Sequence, residues 1–235
     1  MTLDFGSVYV TATGAFLPGE AVDNPSMDAF IAPFDERCER IKQHILSENG
    51  IRSRHYAIDE QGKPRFSSAE MAAKAVRACL AASSGIGLED IEVLCTGTTG
   101  GDLAVPGFAN MVQGALGAGP MHTSSHQGVC AAGGAALQHS ASARALGDHR
   151  HALVVASEMP SRMFKRARFV PTEGKRDFGA HFLRWMLSDG AGAWLLSRDP
   201  SEQGLSLRLD WVHSRSFSGD HPVCMQAGTA QRDSQ

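Results

Sequence analysis

Residues 122–159, HTSSHQGVCAAGGAALQHSASARALGDHRHALVVASEM, contain one unit of strand, helix and strand. Residues 122–130 predict a strand, residues 131–147 a helix built from small side chains, and residues 151–159 a second, buried strand. Strands that are joined through a helix run parallel in one sheet. The stretch therefore predicts an α/β layered fold.

The same alternation continues on both sides of this unit. A strand is expected at 6–16, a helix at 35–51, a helix that opens with the capping box Ser67/Glu70 and ends at Gly85, a buried strand at 91–99, and a helix that starts at Pro106. Residues 192–198 and 205–214 are expected to form a hairpin around the polar turn 199–204. The pattern predicts one domain whose mostly parallel sheet is covered by helices on both faces.

Composition excludes several classes of function. The 235 residues are 43% hydrophobic and carry a formal net charge of -3, which gives no overall cationic field for nucleic acid or an anionic membrane. The N-terminus resembles no secretory signal and no run of about 18 apolar residues occurs, so we expect a cytoplasmic protein that binds neither membrane nor nucleic acid. His139, His149 and His151 are expected to be surface or capping residues rather than metal ligands.

The five cysteines indicate separate thiols. They are odd in number and lack any C-x-x-C spacing, which argues against a disulfide framework and a zinc site: Cys38, Cys79, Cys95, Cys130 and Cys224. Cys38 and Cys79 each fall on the apolar face of a predicted helix, and Cys95 lies within an apolar strand. These three are expected to pack in the core.

Cys130 occupies a different position, where a strand ends and a helix begins. Its thiol is expected at the carboxyl edge of the sheet, where α/β folds bind their ligands. Unpaired amides at a helix start lower a thiol pKa and could stabilise an oxyanion. Gly133 and Gly134 are costly inside a helix, which predicts close approach of another element or a ligand. The alternative is a structural cysteine buried in a tightly packed helix.

Three motifs together carry a resemblance to a known family: NGIRSRHYA at 49–57, GVCAAGGAAL at 128–137 and LSDGAGAWLL at 187–196. In order and spacing they resemble the β-ketoacyl-acyl carrier protein synthase III family of the thiolase superfamily. Residues 182–196 and the basic loop before them look most similar to the branch that makes dialkylresorcinol or stilbene precursors. The resemblance implies that residues 1–235 are the N-terminal helix-sheet-helix half of a thiolase-like fold, with 199–235 as the start of a truncated second half or a hairpin extension.

The resemblance also implies an activity. Cys130 would take an acyl group from a thioester and pass it to a carbanion formed on a malonyl- or β-ketoacyl-carrier protein, in fatty acid or polyketide biosynthesis. No tightly bound cofactor is expected, the acyl substrates being linked to phosphopantetheine. The family pairs through its central sheets, which implies a homodimer.

Two departures from the family pattern affect the site. The family's catalytic histidine and asparagine come from the second half, so their positions are expected beyond the chain end; His213 and His221 are the nearest by order, but they are expected to be exposed loop residues. Members primed by coenzyme A carry a tryptophan and an arginine where this chain has His44 and Glu48. This difference favours an acyl carrier protein as donor.

One segment, 161–185, is strongly basic. We expect Arg162, Lys165, Arg166 and Arg168 to dock the acidic carrier protein, the alternative being a solvated loop.

The sequence leaves three functional hypotheses open. They are a condensing enzyme represented by a shortened chain, a non-catalytic half-domain that pairs with a complete ketosynthase, and a cysteine-dependent acyltransferase or hydrolase without condensation.

Overall fold

The computed structural model describes residues 3–5, 7–31, 36–147, 149–165 and 178–222. The longer strands are β2 (Tyr9–Phe16), β5 (Val93–Thr98), β6 (His122–Gln127), β7 (His151–Glu158) and β8 (Gly190–Ser197). Five strands have two residues each: β1 (Leu3–Asp4), β3 (Val22–Asp23), β4 (Ser53–Arg54), β9 (Leu207–Arg208) and β10 (Trp211–Val212). The helices are α1 (Glu36–Asn49), α2 (Ser68–Ala81), α3 (Phe108–Leu116), α4 (Ala132–Ala145), α5 (Ser161–Phe164) and α6 (Phe178–Met186), with 3₁₀ turns at Ser26–Ala29 and Leu88–Asp90.

The main sheet of the described residues has six strands in the order β6-β5-β7-β8-β2-β9. β5 pairs in parallel with β6 and with β7, whereas β8 is antiparallel to both β7 and β2. β9 is antiparallel to β2. Four strands thus run in one direction and two in the other, which confirms the predicted α/β fold with a mostly parallel mixed sheet.

The predicted hairpin of 192–198 with 205–214 is wrong. β2 lies between the two strands, because it pairs with β8 over most of its length and with β9 at Tyr9 and Val10. The second predicted strand is also divided, since β10 pairs with β1 in a separate sheet. β8 pairs with β7 along its whole length and with β2 over most of its length, so both of its edges are occupied.

Helices α2 and α3 cover one face of the sheet. The Ser67/Glu70 capping box that begins α2 is confirmed. α2 contacts β2 closely at Gly14, where an added Cβ would lie 2.2 Å from the backbone nitrogen of Cys79. α3 begins at Phe108 after the N-cap Gly107, not at Pro106 as predicted, and the Ser125 hydroxyl accepts a hydrogen bond from the Ala109 amide.

Helix α4 covers the opposite face only over β5, β6 and β7. A helix is about 10 Å wide and strands lie about 4.8 Å apart, so one helix shields two or three strands. Among the described residues, Trp194 on β8 is 43% exposed on this face, whereas Leu196 on β8 and Val10 on β2 are buried there in a cluster with Phe5 and Val8. On this face the described residues thus cover β5, β6 and β7 with α4, and one end of β8 and β2 with the chain around Phe5 and Val8.

His151 belongs to a polar chain that crosses β7, β8 and β2. Its Nδ1 lies 3.1 Å from the Ser197 hydroxyl oxygen, which lies 3.0 Å from that of Thr11. His151, expected to be a surface or capping residue, is half-buried at the start of β7. Burial lowers its pKa, an effect that Arg144 and Arg150 reinforce and the nearby Asp90 and Glu92 oppose.

The lowered pKa of His151 predicts a pH dependence of stability. The unfolded chain, in which histidine has a pKa of about 6.5, binds this proton more readily than the folded protein, so stability falls as the pH drops below about 6.5. We expect His151→Gln to reduce the loss in free energy of unfolding between pH 7.5 and 5.5, as measured by urea titration. The matched variant His213→Gln, at an exposed site, should show the full wild-type loss; an equal loss in both variants would contradict the assignment.

Candidate active site

Cys130 lies in the turn that connects β6 to α4, at the carboxyl end of the parallel strands. Its side chain is exposed. The N-cap of α4, Ala131, offers no side-chain acceptor, and no side-chain cap of this helix is found among the described residues. This geometry confirms the predicted corner and places a thiol beside the start of a helix that lacks a side-chain cap.

The corner is fixed by backbone packing at Gly97 in β5. A Cβ added at this position would lie 2.5 Å from the carbonyl carbon of Ala132 and 2.6 Å from the amide nitrogen of Gly133. Real side chains do not approach backbone that closely, so glycine is required there. The first turn of α4 therefore rests directly on β5.

The two glycines of α4 differ from each other. Gly133 faces β7, where an added Cβ would lie 3.4 Å from the Cβ of Ala156, so the predicted close approach is observed there. Gly134 is exposed and an added Cβ there meets no described heavy atom within 4 Å, so no described element approaches it and the approach of a ligand stays a prediction.

The other described cysteines are unlike Cys130. Cys38, Cys79 and Cys95 are all buried, which confirms their predicted packing in the core. Burial raises the pKa of the Cys79 thiol to about 11 and that of the Cys95 thiol to about 11. These two thiols stay protonated at neutral pH and are shielded from reagents. Cys224 lies outside the described residues.

A buried carboxylate joins two of the sequence motifs. Asp189 accepts hydrogen bonds from the Ala57 amide at 2.6 Å, the Ser161 amide at 2.9 Å and the Ser161 hydroxyl at 2.5 Å. Its own amide donates to the His55 carbonyl at 2.9 Å. Burial raises the pKa of Asp189, while these hydrogen bonds oppose the shift. The segments 49–57 and 187–196 thus meet at this residue.

A second acidic residue, Glu158, lies at the carboxyl end of β7, on the same edge of the sheet as the turn that carries Cys130. It is half-buried at the end of β7 and accepts two hydrogen bonds from Thr99. Sequence reasoning assigned no role to Glu158 or Asp189. The sequence signal that could have identified them is an acidic residue at the end of an apolar strand: Glu158 ends β7, and Asp189 directly precedes β8.

The predicted carrier-docking residues have partners within the chain. The Arg162 guanidinium forms an ion pair with Asp102 at 3.0 Å and donates to the carbonyls of Gly100 and Gly101. The Lys165 ammonium donates to the Gly62 carbonyl at 2.8 Å. The Arg162 contacts support the loop after β5, and the Lys165 contact supports the loop between β4 and α2. Arg166 and Arg168 lie outside the described residues.

The other site residues considered from the sequence lie in different parts of the fold. His44 and Glu48 are exposed on α1, and His213 and His221 are exposed after β8. The His139 ring contacts that of His126, and the His149 ring that of His122. Within the described ranges, no three histidine, cysteine or acidic side chains come close enough to hold a metal ion, and no helix there has the length and apolarity to cross a bilayer.

Comparison with known proteins shows which proteins this chain is similar to. Over 187 residues the chain is 30% identical to a β-ketoacyl-[acyl-carrier-protein] synthase III of Cereibacter sphaeroides, a match that covers 80% of this chain and 50% of that protein. The chain is related to the β-ketoacyl-acyl carrier protein synthases III. It spans about half the length of the curated relatives it matches. No family model matches the chain.

Solved structures agree with this relationship. The tetronic acid condensing enzyme AbyA1 is 27% identical with a TM-score of 0.67, over 83% of this chain and 56% of that one. A 3-oxoacyl-(acyl carrier protein) synthase III from Pseudomonas aeruginosa is 24% identical with a TM-score of 0.62, over 86% and 55%. The layered fold expected for the β-ketoacyl-acyl carrier protein synthase III family is confirmed.

Proposed function

We propose that the protein is a condensing enzyme of the β-ketoacyl-acyl carrier protein synthase III type, acting in the cytoplasm. The observation that carries the proposal is the exposed thiol of Cys130 at the carboxyl edge of the sheet, beside a helix start without a side-chain cap. The relatives' printed names describe the same class of reaction. Buried cysteines elsewhere in the described core lack this access to a substrate.

The proposed reaction has two steps. The Cys130 sulfur attacks the carbonyl carbon of an acyl thioester, and the phosphopantetheine thiol leaves with the proton. Loss of carbon dioxide from a malonyl group, or proton removal from a β-ketoacyl group, then gives a carbanion that attacks the acyl carbon and releases the Cys130 sulfur. A thiolate is both a strong nucleophile and a good leaving group, which suits it to both steps.

The proposed donor is an acyl carrier protein rather than coenzyme A. His44 and Glu48 are exposed on α1 and present a carboxylate, not a guanidinium, where coenzyme A-primed members are expected to hold the nucleotide. A carboxylate would repel nucleotide phosphates. Docking of the acidic carrier by the basic segment remains part of this proposal for Lys165, Arg166 and Arg168, whereas the contacts of Arg162 favour a structural role.

The test is the formation of a β-ketoacyl product. The full-length protein, with any residues that follow position 235, is incubated with malonyl-acyl carrier protein and a series of acyl groups, each supplied either on the carrier or on coenzyme A, and products are measured by mass spectrometry. We expect β-ketoacyl-carrier protein from the carrier-bound donors, and none with Cys130→Ala. Acylation of Cys130 without a β-ketoacyl product would overturn condensation in favour of simple acyl transfer, and faster reaction with coenzyme A thioesters would overturn the donor assignment.

We also propose that the protein forms a homodimer through β6. This strand is at one end of the main sheet, and no described strand pairs with its outer edge. It contains no proline or lysine of the kind that protects free edges from pairing. Sedimentation should give a dimer mass, and Ser125→Pro should reduce it to that of a monomer; a monomeric wild-type protein at micromolar concentration would contradict the proposal.

A further inference from the structure

Glu158 and Thr99 connect the carboxyl ends of β7 and β5. Oε1 of Glu158 accepts a hydrogen bond from the Thr99 amide at 2.6 Å and another from the Thr99 hydroxyl at 3.0 Å. A carboxylate that accepts a backbone amide forms a strong, charge-assisted hydrogen bond. Thr99 is therefore held at its amide and its side chain by one carboxylate.

The preceding residues of the two strands, Thr98 and Ser157, form a second connection between β5 and β7. The Thr98 hydroxyl donates to the Ser157 carbonyl at 2.9 Å, and the Ser157 hydroxyl donates to the Ser68 carbonyl at 2.9 Å. These contacts link the ends of β5 and β7 to the first turn of α2. The part of this network around Ser157 is buried, which fixes its geometry.

The carbonyls of the same two threonines hold the segment that leads to the thiol. The Gly128 amide donates to the Thr98 carbonyl at 3.1 Å, and the Gln127 side chain reaches the Thr99 carbonyl at 3.5 Å. Gly128 lies two residues before Cys130. A continuous path of hydrogen bonds and short backbone therefore runs from the Glu158 carboxylate to the corner that carries Cys130.

We propose that Glu158 is a positioning residue for Cys130: by holding Thr99 it fixes the end of β5 against which the cysteine-bearing turn is aligned. The role rests on the proposed function, since it concerns the thiol that would accept the acyl group. Glu158 acts through Thr99 and needs no contact with the substrate. Displacement of a reacting atom by about 1 Å can lower a rate by up to about a hundredfold.

The electrostatics support a specific role for this carboxylate. Burial raises the pKa of Glu158, while the two bonds from Thr99 and the nearby Arg162 favour its ionised form. A partly buried carboxylate is costly unless it is hydrogen-bonded, and here the bonds go to the residue that ends β5. An apolar side chain at the end of β7 would fill the space without holding Thr99.

The test compares three substitutions by the reactivity of Cys130. Glu158→Ala removes the acceptor, Glu158→Gln keeps an acceptor oxygen without the charge, and Thr99→Val removes only the hydroxyl donor. The rates of Cys130 alkylation by iodoacetamide and of its acylation by an acyl-carrier protein are followed by peptide mass. We expect both rates to fall about tenfold in Glu158→Ala, to recover to within about threefold of wild type in Glu158→Gln, and to be intermediate in Thr99→Val.

Glu92→Ala is the matched control. Glu92 also accepts bonds from two backbone amides, those of Arg150 and His151, but at the amino-terminal end of the sheet. We expect this variant to lose thermal stability while Cys130 keeps its wild-type rates. Equal slowing in both alanine variants, or no slowing in Glu158→Ala, would overturn the positioning role. Iodoacetamide needs no acyl donor, so failure of acylation in the wild-type protein would count against the proposed function and leave the alkylation test intact.

Discussion

Gly97→Ala is expected to lower the free energy of unfolding by about 3 kcal/mol and to slow the modification of Cys130. The new methyl group would lie within 2.6 Å of backbone atoms of Ala132 and Gly133, and backbone in a helix cannot move aside as a flexible side chain can. Either α4 shifts away from β5 or β5 distorts, and in both cases the turn that carries Cys130 moves. Chemical denaturation measures the first effect and iodoacetamide alkylation the second.

Gly134→Ala is the matched control for this prediction. It adds the same methyl group in the first turn of α4, next to Gly133, where no described heavy atom outside the helix backbone lies within 4 Å. Alanine is favoured over glycine inside a helix by up to about 1 kcal/mol, so this variant should be at least as stable as the wild type. Equal stability of Gly97→Ala and Gly134→Ala would contradict the packing described for β5 and α4.

Asp189→Ala is expected to cost about 3 kcal/mol or more. The substitution would leave the amides of Ala57 and Ser161 and the hydroxyl of Ser161 without their acceptor, and an unsatisfied buried donor costs about 1–3 kcal/mol. The first residues of α5 and the segment that follows β4 would lose their common anchor. Urea denaturation monitored by circular dichroism measures the loss.

Asp189→Asn separates hydrogen bonding from charge at the same position. Asparagine retains one acceptor oxygen but places an NH₂ group against donors, so we expect a loss smaller than that of alanine yet clearly measurable. Wild-type stability in Asp189→Ala would show that the three hydrogen bonds contribute little and that the two motifs are held together by other contacts.

The sequence predicted those features of the molecule that are determined locally. The start of α2 follows from Ser67 and Glu70, three residues apart, and the corner at Cys130 follows from a strand predicted at 122–130 that meets a run of alanine and glycine. The position of β2 between β8 and β9 could not be predicted in this way. It depends on pairing between residues almost two hundred positions apart, such as Val10 with Leu196 and Leu207.

The supporting residues of the site were missed for a related reason. Asp189 bonds to a residue 132 positions away, and Glu158 to one 59 positions away, and in both cases a backbone amide is among the partners. Every residue except proline has a backbone amide donor, so the residue type does not show which amide a carboxylate will bind. Neither spacing nor composition could therefore identify these pairs. The relative openness of Gly134 was equally invisible, because a glycine in a helix has the same sequence signature whether it is crowded or exposed.

The acyl-accepting role of Cys130 can be tested by locating the acyl group after a single turnover with an acyl-carrier protein. We expect one acyl group per chain, found by peptide mapping on the peptide that contains Cys130, and no acyl group on the buried Cys38, Cys79 and Cys95. Cys130→Ala should abolish the mass increase while the fold is retained. Acylation of another residue, or an unmodified Cys130 in the folded wild-type protein, would contradict the central claim that this thiol accepts the acyl group.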